Sequence, residues 1–375
     1  MSYIIDAVRV PIGKVNGIYR HVLPEELAAF LIKSLIERNP GLEVIVQEVI
    51  LANAFGTGGN MARYATLAAG LSNKVPAFTI DSQCSGGLKS IEIAHQYIKS
   101  GNLEYILAGG MESKSLSPEK KYHPNDKRGK GDFSYKIAKF SPEQTSEEPL
   151  LDAAEQVALN LGVSKMELLE WCLDSHKKAA TAISSLILNS FISRLEAGHT
   201  DQSIKPNLSL GLLKKASSEK LIDKTTSSHF NDASAVLFLS KNDSFGEKKA
   251  IAKILETITV GADPNLAPAA IMTALDALLL KSKIDIADID LFEINESFAI
   301  NPLLIIKNKG VSAQKVNVLG GALAYGHAYG ASGAINLLHL CVSLQTFNKK
   351  LGVVIIPAAG GLATAMLIEN LKNDI

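Results

Sequence analysis

The sequence predicts an α/β protein built from two similar halves, with a polar excursion inserted into the first. Three observations predict it. A strand, a small-residue turn, a helix and a second strand follow one another between residues 77 and 110, and the same order returns between 316 and 361. A long stretch rich in Lys, Ser, Pro and Gly lies between them. Finally, 375 residues with a hydrophobic fraction of 47% exceed what one small core holds and point to two or more packed units.

The chain opens on Met1 to Arg9, which reads as a first strand. No basic segment leads there into an apolar run and a small-residue cleavage site, so it does not read as a secretion signal. The first unit starts with the strand Ala77 to Asp81, which enters Gln83-Cys84-Ser85-Gly86-Gly87. Leu88, Ile91, Ala94 and Ile98 then recur at the spacing of one helical face. A buried-looking strand, Tyr105 to Ala108, closes the unit at Gly109-Gly110. A crossover of this kind joins parallel strands. Ser113 to Glu148 shows no clean period, Leu151 to Ala182 is helical, and polar residues continue to about Lys224 before Ala235 to Leu239 resumes as a strand. Another strand, Ile289 to Ile294, leads to Asn295.

The second unit takes Val316 to Leu319 as its first strand, then a Gly/Ala loop to Gly333 and a helix carrying Ala334, Leu337, Leu338 and Cys341. Its closing strand, Val353 to Ile356, ends at Gly360-Gly361. Ser85 precedes its Gly-Gly pair by 24 positions (109 minus 85) and Ser332 by 28 (360 minus 332). The repetition is therefore of form rather than of sequence, and chance similarity between two such units is the alternative. The division expected is 1–113 with 221–246 as an N-terminal core half, 114–220 as the excursion, and 247–375 as a C-terminal core half.

Composition removes several function classes. A formal net charge of zero gives no electrostatic argument for nucleic acid or an acidic membrane surface. Cys84, Cys172 and Cys341 are odd in number and widely spaced, so neither a secreted disulfide framework nor a metal site is expected. No apolar run approaches the roughly 20 residues of a spanning helix. A reducing, cytoplasmic setting follows as the expectation. Neither a phosphate-binding Walker loop nor a dinucleotide fingerprint is present.

Cys84 stands between a strand end and a helix start, beside two glycines that let a ligand approach the backbone. Unpaired N–H groups and the positive end of a helix dipole lower a thiol's pKa there and favour thiolate, the environment of a nucleophile. The plain alternative is a small buried core residue. His327, in Gly326-His327-Ala328-Tyr329-Gly330, sits in a glycine-flanked loop where a neutral imidazole can accept a proton or polarise a carbonyl. It could equally be a satisfied core histidine. Asn295, after its strand, could donate toward an oxyanion or cap a helix. Eight Lys or Arg residues against three acids between Lys114 and Lys139 could attract phosphates or form a solvated loop.

Taken together, these segments resemble the thiolases over nearly the whole chain. Asp6 to Lys14 is similar to the family's opening strand, Gln83 to Lys89 to its nucleophile segment, and Gly110-Met111-Glu112-Ser113 to the end of the next strand. Ser175 to Ala179 matches a helix of its loop domain, Asn295-Glu296-Ser297-Phe298 its Asn-Glu-Ala-Phe block, and Asn317 to Gly333 its longest signature. The resemblance implies a duplicated five-layer α/β/α/β/α fold with an inserted loop domain. It implies coenzyme A thioesters as substrates with no tightly bound cofactor, acyl-CoA and CoA as partners, and a homodimer or homotetramer, while composition points to no metal, nucleic acid or membrane. By matching position, Cys84 would be acylated, and His327 would activate it and join Asn295, through a water, in one oxyanion hole. The backbone N–H groups of Cys84 and Ala359 would form the other, and Ser228 would contact pantetheine.

One departure bears on chemistry. The family's second catalytic cysteine precedes a Gly-rich turn, and here that position is Pro357, which has no ionisable side chain and no N–H. Ala328 also replaces the usual proline after the histidine, and the stretch from Asp263 to Pro268 is shorter than usual. The function expected is an acyl-CoA acyltransferase of the acetyl-CoA acetyltransferase or 3-ketoacyl-CoA thiolase type, impaired in carbon–carbon chemistry. Simple acyl transfer, decarboxylative condensation, and a non-catalytic CoA-binding or scaffold subunit are the alternatives.

Overall fold

A computed structural model describes residues 1–128, 134–135 and 139–371. Nine strands form one continuous path through its main sheet. They are β1 (Ser2–Arg9), β2 (Glu48–Ala52), β3 (Ala77–Ile80), β4 (Tyr105–Glu112), β5 (Asn231–Ser240), β6 (Ala252–Gly261), β7 (Leu291–Ile294), β8 (Leu351–Ala358) and β9 (Leu362–Asn370). Their order is β7-β8-β9-β6-β1-β5-β4-β2-β3, so the chain's first strand lies at the junction of the two halves. Short pairing of Ser2 to Ile4 with Ala252 to Ile254 makes that junction.

The principal helices are α1 (Pro24–Arg38), α2 (Met61–Ala68), α3 (Gly86–Lys99), α4 (Pro149–Leu161), α5 (Lys165–Ser184), α6 (Ala270–Ser282), α7 (Ile300–Lys309) and α8 (Tyr329–Thr346). Helices α3 and α8 pack on each other and on strands of both halves, α1 and α2 cover the outside of the first half, and α6 covers the second. The layers are therefore α/β/α/β/α, as the resemblance implied. Helix α8 is buried along nearly its whole length, which explains a sequence without a polar face.

The two central helices approach to backbone contact. A Cβ built on Gly333 would lie 2.4 Å from the Leu88 amide nitrogen, and one on Gly87 would lie 2.7 Å from the Gly330 carbonyl. Real side chains cannot occupy either space, so the glycines are what allow the crossing.

Three expectations are corrected. Gly109-Gly110 does not end a strand, since β4 runs through to Glu112. Strands β3 and β4 are parallel, as the crossover required, but β2 lies between them. Val316 to Leu319 is not a strand either. Val316 makes only an isolated bridge to Phe292, and its apolar character reflects burial. The first strand of the second unit is β7, which pairs in parallel with β8. The helical stretch from Leu151 is two helices, broken where Gly162 adopts φ +67° and restarted by the Ser164–Glu167 capping box.

The excursion buries its apolar residues against the second half. Leu168, Trp171 and Cys172 join one hydrophobic cluster with Ile271, Phe292 and Ile300. Lys130, Asp132 and Lys136 of the basic run lie outside the described residues.

Candidate active site

The turn before α3 sets the position of Cys84. Gln83 adopts φ +50°, a left-handed conformation costly for a residue with a Cβ. Asp81 holds it there by accepting bonds from the Gln83 backbone N–H (2.8 Å) and side-chain amide (3.0 Å). A single 3₁₀ turn, Gln83–Ser85, then delivers Cys84 to the helix start. The expected lowering of the thiol's pKa is not found. Burial pushes it up to about 12 and outweighs the backbone N–H groups of Cys84 and Ala359, which favour the thiolate, while the nearby Glu112 raises it further. Cys84 is therefore a neutral thiol.

His327 precedes α8 as Cys84 precedes α3. Its backbone is pinned on both sides, donating to His229 O (2.8 Å) and accepting from Asn231 N (3.1 Å). Before it, Gly326 at φ +102° sits so close to the Asn231 side chain that a Cβ would lie 1.9 Å from it. Nδ1 pairs with Ser332 Oγ at 2.7 Å, whereas Nε2 is buried without a partner among the described residues. Burial lowers the imidazole's pKa to about 3, so it too is neutral. Tyr329, in the strained region at φ +25°, stacks on the imidazole (centroids 4.6 Å, 26°) and on Phe230 (5.2 Å, 26°).

Cys84 and His327 share one cavity of about 650 Å³, with Ser228, Ser297, Tyr329, Pro357 and Ala359 among its lining residues. Most of the remaining wall is apolar, and the excursion contributes Phe140 and Leu150 to it. Pro357 ends no strand. It sits within β8 opposite Ala363 and presents no acid or base to the cavity.

Asn295 lies behind the wall rather than on it. Its Nδ2 donates to Ser297 Oγ (2.7 Å) and its Oδ1 accepts from Asn336 Nδ2 (3.1 Å), so it caps no helix. Glu296 is a structural clamp, accepting from Trp171 Nε1, Ser175 Oγ, Asn317 Nδ2 and Leu323 N at 2.7–3.1 Å. It ties the excursion to the loop that carries His327. Ser228 donates to Ser297 O from both its backbone (3.0 Å) and its hydroxyl (3.2 Å). Among the described residues no cluster of His, Cys, Asp or Glu is arranged as a metal site, and no helix is long and apolar enough to cross a membrane.

Residues 2–243 match the family described as thiolase, N-terminal domain, and residues 248–370 match thiolase, C-terminal domain. The chain belongs to the thiolase family. A Bacillus subtilis thiolase relative described as "Putative acetyl-CoA C-acetyltransferase YhfS" is 34% identical over 377 residues, covering 98% of this chain and 99% of its own length. A Staphylococcus aureus relative with the same description, VraB, is 32% identical over 377 residues and 98% of both chains. Among solved structures, the Bacillus anthracis acetyl-CoA acetyltransferase superposes with a TM-score of 0.90 at 28% identity, covering 99% of this chain and 98% of that one.

Sequence reasoning missed several residues in and behind the wall of this thiolase cavity. Ser332 was noted only as a repeat marker, and Tyr329 only as a neighbour of His327. Its side-chain direction follows from a backbone angle that composition does not reveal. Asn336 is hidden inside an otherwise apolar helix, where a lone buried amide was the available signal.

Proposed function

We infer that this thiolase is an acyl-CoA acyltransferase of the acetyl-CoA acetyltransferase or 3-ketoacyl-CoA thiolase type, working through an acyl group on Cys84. One observation carries the reading: a buried thiol and an imidazole with an unpartnered nitrogen share one apolar cavity. With burial raising the thiol's pKa and lowering the imidazole's, the separated ion pair is disfavoured against the neutral pair in the resting site. Proton transfer therefore belongs to the attack step rather than to the resting enzyme. His327 Nε2 takes the Cys84 proton as Sγ bonds to the thioester carbonyl carbon. The carbonyl oxygen takes up the charge, and the backbone N–H groups of Cys84 and Ala359, which already favour charge on the Cys84 sulfur, are available to it as donors. Collapse breaks the bond to the CoA sulfur, which leaves with the proton from His327. Ser228, on the cavity wall, serves the pantetheine arm. A homodimer or homotetramer in the cytoplasm is part of this reading.

A second reading is favoured by Pro357. General acid–base catalysis contributes roughly 10²–10⁴-fold, and the wall holds no second thiol to supply it. Simple acyl transfer or decarboxylative condensation needs no such base. The test of the acyl-enzyme is intact mass after incubation with an acyl-CoA panel. One acyl group on Cys84, absent from Cys84→Ala, is expected. An adduct on Cys172 or Cys341 with Cys84 untouched would refute the assignment.

A further inference from the structure

Asn295 is an amide with two N–H donors, yet it does not reach the cavity. What it does reach is Ser297, which lines the cavity and stands where the resembled motif has alanine. Three hydrogen-bonding groups run in one direction. Asn336, on the buried helix α8, donates from Nδ2 to Asn295 Oδ1 at 3.1 Å. That bond turns the Asn295 amide so that its nitrogen faces Ser297, and Nδ2 donates to Ser297 Oγ at 2.7 Å. A hydroxyl oxygen that accepts an amide N–H keeps its own proton for another acceptor. Among the described residues no group accepts that proton, and the cavity is the open side of Ser297.

We propose that Ser297 is a catalytic hydrogen-bond donor to the thioester carbonyl oxygen, with Asn295 and Asn336 as the positioning residues that aim it. The inference rests on the acyl-Cys84 reading. In the attack step Ser297 neither gains nor loses a covalent bond. Its O–H stays intact and shortens its hydrogen bond to the oxygen as negative charge builds there. Chained donors polarise one another, so each N–H behind Ser297 makes its hydroxyl a better donor.

The experiment follows acyl-Cys84 formation from acetyl-CoA in single turnover, with rate constant and apparent Kd measured separately. Losing one donor to a developing oxyanion typically lowers the rate 10²–10³-fold. Ser297→Ala is expected to lower the rate constant by about 10²-fold with Kd nearly unchanged, while Ser297→Thr, which keeps the hydroxyl, retains most of the rate. Asn295→Ala is expected to slow acylation in wild type but to add little in the Ser297→Ala background, because one chain has already been cut. Thermal unfolding of each variant is followed alongside. Wild-type acylation by Ser297→Ala overturns the proposal, as does an equal loss in Ser297→Thr accompanied by a lowered melting temperature. Absence of any adduct on the wild-type protein overturns the acyl-Cys84 reading itself, and the donor role with it.

Discussion

At the scale of single residues, the neutral state of Cys84 and His327 decides what the site does when empty. A thiol held near 12 is a poor nucleophile toward adventitious electrophiles, and on the acyl-Cys84 reading it reacts only as the imidazole takes its proton. His327→Ala is therefore expected to slow acylation by roughly 10²-fold or more without unfolding the protein. Unaltered rates would make the histidine structural. Pro357→Cys is expected to raise thiolysis of acetoacetyl-CoA by free CoA above a slow wild-type rate, because the following turn, with Gly360 at φ +81° and Gly361 at φ +77°, is still available. Robust thiolysis by the unaltered protein would mean another group supplies the proton transfer. Cys84 and His327 were legible because each is a reactive side chain set among glycines. The raised thiol pKa was not, since burial depth depends on residues more than 200 positions away. Ala359 and His327 both approach Cys84 only in the folded chain.

Elements translate those residues into geometry. Cys84 precedes α3, His327 precedes α8, and the two helices touch through Gly87 and Gly333. Helix packing thus sets the separation of thiol and imidazole. Gly333→Ala is expected to destabilise the fold by about 1–3 kcal/mol, as overpacking does, and to lower the acylation rate as well. The check is a urea midpoint measured beside single-turnover acylation. A loss of stability with full activity would show that the site tolerates helix displacement. Helix α3 was legible from its period and β8 from a short buried apolar run, whereas β2, β6, β9, α1, α2, α6 and α7 were not read from the sequence. Val316 to Leu319 was misread because a buried connector carries the same apolar signature as a strand, and periodicity over four residues cannot separate them. Gly109-Gly110 was misread as a terminus. Glycines inside a strand also mark close backbone approach, and a Cβ on Gly110 would lie 1.9 Å from the Gly330 carbonyl.

For the whole molecule, the two-halved plan was visible in the repeated order of elements, whereas the destination of the excursion was not. Its apolar positions are too irregular to say which half they cover, and the structure packs them on the second. The charged part of the excursion meets the cavity wall through Lys114, whose Nζ lies 4.4 Å from the Phe55 ring centroid and 5.4 Å from that of Phe230. Burial and the neighbouring Lys120 lower the ammonium's pKa. Charge reversal by Lys114→Glu is expected to raise the apparent KM for acyl-CoA, and the difference should shrink as salt is added. An unchanged KM and an unchanged mass in solution would leave this segment a solvated loop.

The sandwiching of α3 and α8 between the halves also has a meaning in time. Cys84 is synthesised 243 residues before His327 (327 minus 84). At ribosomal speeds this interval lasts roughly ten to fifty seconds. Throughout it the thiol has neither its imidazole nor the Ala359 amide, and the surface of α3 that α8 will cover stays open. On the acyl-Cys84 reading, a chain that stops short of His327 is expected to capture no acyl group, which the intact mass of such a truncated chain would check.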